Sequence, residues 1–289
     1  MSSDRQAILR ARLLRVALRL RLVSSPSVAE VRRRIEEAGV RGSLFLCASP
    51  RTGSTMLANL LDETGLVGAP TREYFGVDFE TKVLPQVGRA GFPDYLVECA
   101  RKAAGTGVFG TKLLWHQCVL FFYVLRMLRD ARDLSDRGLL EAVFPEPRFI
   151  WLRREDVLAQ GVSWWRAKTT GAWFDHSRPH NEPAFDFNGI DTAVRWAQEQ
   201  AEAWRGWFAA NGIEPLQVVY EDLVADPGET VRRSLAFIGV DVPDDIAVEP
   251  QTRRQGDEVN DEWIRRYREI AETSGAGAAR PQPSSSRAP

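Results

Sequence analysis

Long apolar runs are missing from this chain of 289 residues. Nowhere do roughly 18 apolar residues stand together, so no transmembrane helix is expected. Cysteine is scarce: Cys47, Cys99 and Cys118 are the three, without a C-x-x-C spacing. That argues against a disulfide framework and a zinc knuckle, and fits a reducing, cytoplasmic setting. Histidine is as scarce, three residues with no H-E-x-x-H pair, and no metal is expected. An excess of charge of either sign is missing too, with 38 basic side chains against 39 acidic ones and a net charge of −1. No nucleic-acid partner is therefore expected. An anionic ligand would have to be held by a few placed arginines.

What is present fits a globular protein, 44% hydrophobic and 27% charged, long enough for one large α/β domain or two small ones. The N-terminal stretch "RQAILRARLLRVALRLRLV" is interrupted by Arg5, Arg10, Arg12, Arg15, Arg19 and Arg21. Apolar runs such as Val16-Ala17-Leu18 are too short for a signal-peptide core. The stretch reads as a basic amphipathic helix over residues 1–24, packed on the domain or on a partner subunit, or resting on a membrane surface as a peripheral contact. A second short helix ends at Gly39, which closes a helical extension over residues 1–40. The compact domain is expected over 41–272. Residues 273–289, rich in Gly, Ala, Pro and Ser, read as a disordered tail.

Four short apolar runs read as buried strands: 43–48 ("SLFLCA"), 108–115 ("VFGTKLLW"), 148–154 ("RFIWLRR") and 216–222 ("LQVVYED"). Helical patterns occupy 55–64, 92–103, 118–131, 155–168, 191–210 and 227–238. The alternation predicts an α/β fold, a parallel sheet flanked by helices. Ligands of such sheets bind at the carboxyl ends of the strands.

The stretch "CASPRTGST" lies at one such end. It has the layout of a phosphate-binding loop but lacks the Walker lysine, since Ser54 follows Gly53. Free N–H groups at the helix start form an anion seat, and Gly53 permits close approach of the backbone. Ser49, Pro50, Arg51, Thr52, Gly53, Ser54 and Thr55 are the candidate binding residues, with Arg51 supplying the charge. Without the lysine and a Mg²⁺ ligand pair, ATP or GTP is disfavoured. A phosphosulfate needs less, because its sulfuryl group carries a single negative charge.

"SPRTGSTMLANLLDETGLVGAPTREYF" resembles the 5′-phosphosulfate loop of sulfotransferases that use 3′-phosphoadenosine 5′-phosphosulfate (PAPS). It looks most like the bacterial trehalose 2-sulfotransferase family, and the resemblance covers about residues 43 to 270. Three further blocks carry it. "RFIWLRREDVLAQGVSWWRA" resembles the segment whose arginine and serine hold the 3′-phosphate, which implies Arg153, with Arg154 as the alternative, and Ser163. "RRQGDEVNDEWIRRYRE" resembles the late loop over the same phosphate and implies Arg253 or Arg254. "VVYEDLVADPGETVRRSLAFIGV" resembles a structural signature of these enzymes. The resemblance implies a sulfotransferase fold, PAPS as co-substrate, adenosine 3′,5′-bisphosphate as product, and a homodimer.

Sulfuryl transfer to a hydroxyl needs a base. By resemblance the base is Glu73 in "PTREYF", with His116 as the alternative. Ala69 stands before Pro70 where the family has a second glutamate, which leaves the acceptor open between trehalose and another carbohydrate or glycosylated metabolite. Lys112 would contact the bridging or sulfuryl oxygens. If the strand continued, His116 would share its face. Trp115, Trp164, Trp165 and Trp173 are candidate sugar-stacking faces or core residues. Trp196, Trp204, Trp207 and Phe208 fit one helical face and read as core or dimer-interface residues. The other classes to weigh are a P-loop kinase-like phosphotransferase and a non-catalytic nucleotide-binding protein on the same fold.

Overall fold

Strand β1 (Gly42–Ala48) shows most plainly how the sequence becomes a fold. Its residues from Leu44 to Ala48 are completely buried, and side chains alternate between the two faces of a strand. Phe45 and Cys47 enter one core with Phe109, Phe121, Phe144 and Trp204. Leu44, Leu46 and Ala48 enter a second core with Leu57, Leu61, Ile150, Leu152 and Leu235. A strand covered on both faces reads as a continuous apolar run, as "LFLCA" does. Phe45 touches the rings of Phe121, Phe144 and Phe149. Its replacement by alanine is expected to cost about 3–5 kcal/mol.

The computed structural model describes residues 25–103, 105–173, 180–242 and 258–273. β1 pairs in parallel with β2 (Val108–Leu114) and β3 (Pro147–Arg153), and β3 pairs with β4 (Leu216–Val219), in the order β2-β1-β3-β4. The helices, in chain order, are α1 (Val28–Glu37), α2 (Ser54–Glu63), α3 (Leu84–Arg101), α4 (Trp115–Leu125), α5 (Asp136–Val143), α6 (Val157–Thr170), α7 (Phe187–Ala210), α8 (Tyr220–Ala225), α9 (Pro227–Phe237) and α10 (Glu258–Thr273). One π-helical turn (Phe79–Val83) precedes α3. α1 places Val28, Val31 and Ile35 in the core that holds Phe45. Among the described residues no helix is long and apolar enough to cross a membrane.

The free edge of β2 is covered by the segment from Gly68 to Arg72. Gly68 N–H donates to the Val108 carbonyl at 2.8 Å, Gly110 N–H to the Gly68 carbonyl at 2.9 Å, and Lys112 N–H to the Arg72 carbonyl at 3.0 Å. This pairing sets the position of the residue after Arg72.

The chain divides into two compact units. The first holds the sheet: the described residues up to Glu155 and those from Gln200 to Val242. The second holds Asp156–Glu199 and Glu258–Thr273. In it α6 and α10 pack around Val162, Ile190 and Trp263, and Arg166 donates to Asn260 at 3.0 Å.

The parallel α/β expectation holds, with local corrections. β2 stops at Leu114, because the Gln117 side chain accepts the Leu114 N–H at 3.1 Å and starts α4. His116 therefore lies on a helix and does not share a strand face with Lys112. β4 stops at Val219, and Tyr220, Glu221 and Asp222 open α8, whose acidic first turn suits the positive end of the helix dipole. α5 was not anticipated, although Ser135 caps it through the Gly138 N–H at 3.0 Å. The expected tryptophan face of α7 is split: Trp196 packs at a tilt against Trp164 in the second unit, while Trp204 and Phe208 lie in the core of the first. The expected helix over 1–24, Arg253, Arg254 and the tail from 274 lie outside the described residues.

Candidate active site

The loop from Ser49 to Thr55 leaves β1 at its carboxyl end. Trp204 Nε1–H donates to the Ala48 carbonyl at 2.9 Å and anchors its start. The buried Thr52 hydroxyl donates to the Ser49 carbonyl at 2.9 Å and closes the turn. Arg51 and Gly53 both adopt left-handed backbone, φ 67 and 84. For Arg51 this costs roughly 1–2 kcal/mol, a strain typical of binding loops. Gly53 occupies the cap position of α2, and no side chain caps that helix. Its first N–H groups therefore face the loop, with the positive end of the dipole behind them.

Two residues far along the chain support this loop. The Tyr220 ring lies on Gly53 so closely that a Cβ at position 53 would stand 2.5 Å from its Cδ2. Glycine is required there both by its φ and by this approach. The Arg154 guanidinium sits 4.4 Å from the centre of the Tyr220 ring and donates to the Arg51 carbonyl at 3.4 Å. Glu221 lies 4.0 Å from it. Arg154 is thus a brace for the loop backbone. Its neighbour Arg153, the last residue of β3, is half-exposed and makes a long 3.5 Å contact with Glu155.

A second cluster adjoins the loop. Lys112, buried on β2, places Nζ 3.0 Å from the Thr55 hydroxyl and 3.0 Å from Glu73 Oε1. The other carboxylate oxygen of Glu73, Oε2, accepts from Gln117 Nε2 at 2.7 Å. Glu73 keeps about a third of its side chain in solvent, at 32%, whereas Lys112 keeps 5%. A buried ammonium is tolerable only with such partners. The result is a carboxylate held on both oxygens yet open on one side, joined through one ammonium to the start of α2.

His116 is exposed at the first turn of α4. Desolvation on its protein side lowers its pKa from the ordinary 6.5, and the nearby charges of Glu73 and Glu80 oppose that shift. Trp115 packs edge-on against Trp204, ring centres 5.1 Å apart, at the margin of the core. Trp164 carries the Lys168 ammonium 4.8 Å from its ring centre, and Trp173 is exposed. Ser163 lies on α6 in the second unit.

The fold brings together Arg51, Gly53, Thr55, Lys112 and Glu73, all of them singled out in the sequence. Sequence reasoning passed over Gln117, Tyr220 and the bracing role of Arg154. Gln117 had a readable signal, as the third residue after the end of β2 and so within reach of a free N–H at a helix start. Tyr220 had none.

Comparison with known proteins agrees with these features. The family model for Stf0 sulphotransferases matches residues 43–270. Trehalose 2-sulfotransferase of Mycobacterium tuberculosis (strain Erdman) is 33% identical over 264 residues, spanning 82% of this chain and 97% of the relative. Trehalose 2-sulfotransferase of Mycolicibacterium smegmatis is 31% identical over 264 residues, spanning 80% and 96%. Among solved structures, sulfotransferase STF9 from Mycobacterium avium aligns over 88% of this chain and 72% of its own with 14% identity and a TM-score of 0.42. With its loop, its parallel sheet and a match that covers most of its length, the chain belongs to the Stf0 sulphotransferase family.

Proposed function

We propose that this protein transfers a sulfuryl group from PAPS to a hydroxyl of a carbohydrate or glycosylated metabolite, with a trehalose-like disaccharide as the first acceptor to test. One observation carries the reading: a single ammonium, Lys112 Nζ, lies 3.0 Å from both Glu73 Oε1 and the Thr55 hydroxyl. Acid–base and anion-binding groups are thereby adjacent, as transfer from a bound anion to a neutral hydroxyl demands. The two trehalose 2-sulfotransferase relatives support the acceptor class.

In this reading Arg51 and the N–H groups at the start of α2 hold the 5′-phosphosulfate. Arg153, Ser163 and either Arg253 or Arg254 hold the 3′-phosphate. Arg154 is already engaged by Tyr220 and the Arg51 carbonyl, which favours Arg153 for that contact. The acceptor oxygen attacks sulfur and forms a new S–O bond as the S–O bond to the leaving phosphate breaks. The acceptor proton passes to the Glu73 carboxylate. Lys112 and the loop N–H groups stabilise the charge that grows on the leaving phosphate oxygen. Adenosine 3′,5′-bisphosphate and the sulfate ester leave. Trp115 and His116 border the acceptor side, and the same reading takes the protein as a cytoplasmic homodimer.

Thermal melting tests the donor. Adenosine 3′,5′-bisphosphate is expected to raise the Tm without metal. Stabilisation by ATP with Mg²⁺ alone would instead select the phosphotransferase reading.

A further inference from the structure

Gln117 stands outside every role assigned so far, yet it is 4% exposed and both ends of its amide are committed. Its Oε1 accepts the Leu114 N–H at 3.1 Å. Its Nε2 donates to Glu73 Oε2 at 2.7 Å. The amide orientation follows from chemistry: a backbone N–H can only donate, so it takes the carbonyl oxygen and leaves the NH₂ group for the carboxylate. Gly76 makes room for this arrangement, since a Cβ there would stand 3.1 Å from Gln117 Nε2.

Glu73 has a second holder, Lys112, but the two are not equivalent. Lys112 also faces Thr55 at the anion seat, where the donor's anionic oxygens would compete for its ammonium. Gln117 faces a backbone N–H that cannot move away. We infer that Gln117 is the positioning residue of the reaction, the amide that keeps the Glu73 carboxylate aimed at the acceptor while Lys112 turns to the donor. This rests on Glu73 being the base. Because Nε2 only donates, the Glu73 oxygen that faces it acts as an acceptor.

The variant that isolates this role is Gln117→Glu. Its carboxylate still accepts the Leu114 N–H, but the donor to Glu73 becomes an oxygen. Two facing carboxylates share a proton, so the acid limb of the kcat–pH profile should move up by about one pH unit or more. kcat near neutrality should fall by about 100-fold, while the Kd for adenosine 3′,5′-bisphosphate stays within about twofold. Glu73→Gln is assayed alongside. If Glu73→Gln is inactive and Gln117→Glu keeps the parental kcat and profile, the inference fails and the base assignment stands. Full turnover in Glu73→Gln overturns both. Should Gln117→Glu melt well below the parent, Gln117→Met decides: lost kcat at parental donor KM and bisphosphate Kd supports the inference, and parental kcat overturns it.

Discussion

The loop Ser49–Thr55 and the cluster around Glu73 touch through one ammonium, yet they are built in opposite ways. The loop is seven consecutive residues, Ser49 to Thr55, whose turn is closed by a hydrogen bond three residues long. The Glu73 cluster is assembled from remote segments: Lys112 reaches Thr55 across 57 residues of sequence, and Gln117 reaches Glu73 across 44. A contiguous site depends mainly on local backbone preferences. An assembled site depends on strand register and on how the segment from Gly68 to Arg72 docks on the β2 edge. The first takes its turn from neighbouring residues and leans on Tyr220, Arg154 and Trp204 only for support, whereas the second exists only through distant contacts.

The largest effect that separates the two regions belongs to Glu73. Glu73→Gln should reduce kcat by about 10²–10⁴-fold and leave adenosine 3′,5′-bisphosphate binding intact, measured by steady-state kinetics and calorimetry. Arg51→Ala should do the reverse. Losing hydrogen bonds from a charged donor costs about 1.5–3 kcal/mol, so the bisphosphate Kd should rise by roughly 10- to 150-fold. An Arg51→Ala protein that bound bisphosphate normally would break the comparison.

Smaller effects test the supports. Gly53→Ala meets both the left-handed φ and the Tyr220 ring, and should lower stability by about 1–3 kcal/mol, read by denaturant unfolding. Arg154→Met removes the stack on Tyr220 and should cost about 0.5–2 kcal/mol. It should weaken donor binding only through the loop, so the loss should be less than for Arg153→Met.

The smallest effect concerns His116. Its folded-state pKa lies below 6.5, chiefly because of desolvation. The unfolded state therefore binds the proton more readily, and stability falls as pH drops from about 6.5 through the folded value. Between pH 7 and pH 5 the wild-type Tm should decline more steeply than that of His116→Gln.

How far the sequence could be read follows the same division. The strands at Gly42–Ala48, Val108–Leu114 and Pro147–Arg153 were legible to within a residue, because two-sided burial demands predominantly apolar runs. The fourth strand was read three residues too long. "YED" continues the strand pattern, but Tyr220 turns away to pack on Gly53. Lys112 and Glu73 were legible as chemistry but not as a pair. Within "TKLLWHQ" Gln117 alone hints that α4 starts at Trp115, which takes His116 off the strand and turns Gln117 toward Glu73. The engagement of Arg154 was invisible, since it rests on a ring far downstream.

The sequence by itself determined the parallel α/β order, the residues of the loop after β1 and the types of charge around it. These follow from burial pattern, turn chemistry and local hydrogen bonding, which act over a few residues. Tertiary structure alone decided which charges meet. The ammonium of Lys112 finds Thr55 and Glu73, the amide of Gln117 finds the same carboxylate, and Arg154 is drawn to Tyr220 and the loop. Each pairing depends on the register of the sheet and on the segment docked at its edge. A shift of one residue in either would point these side chains elsewhere.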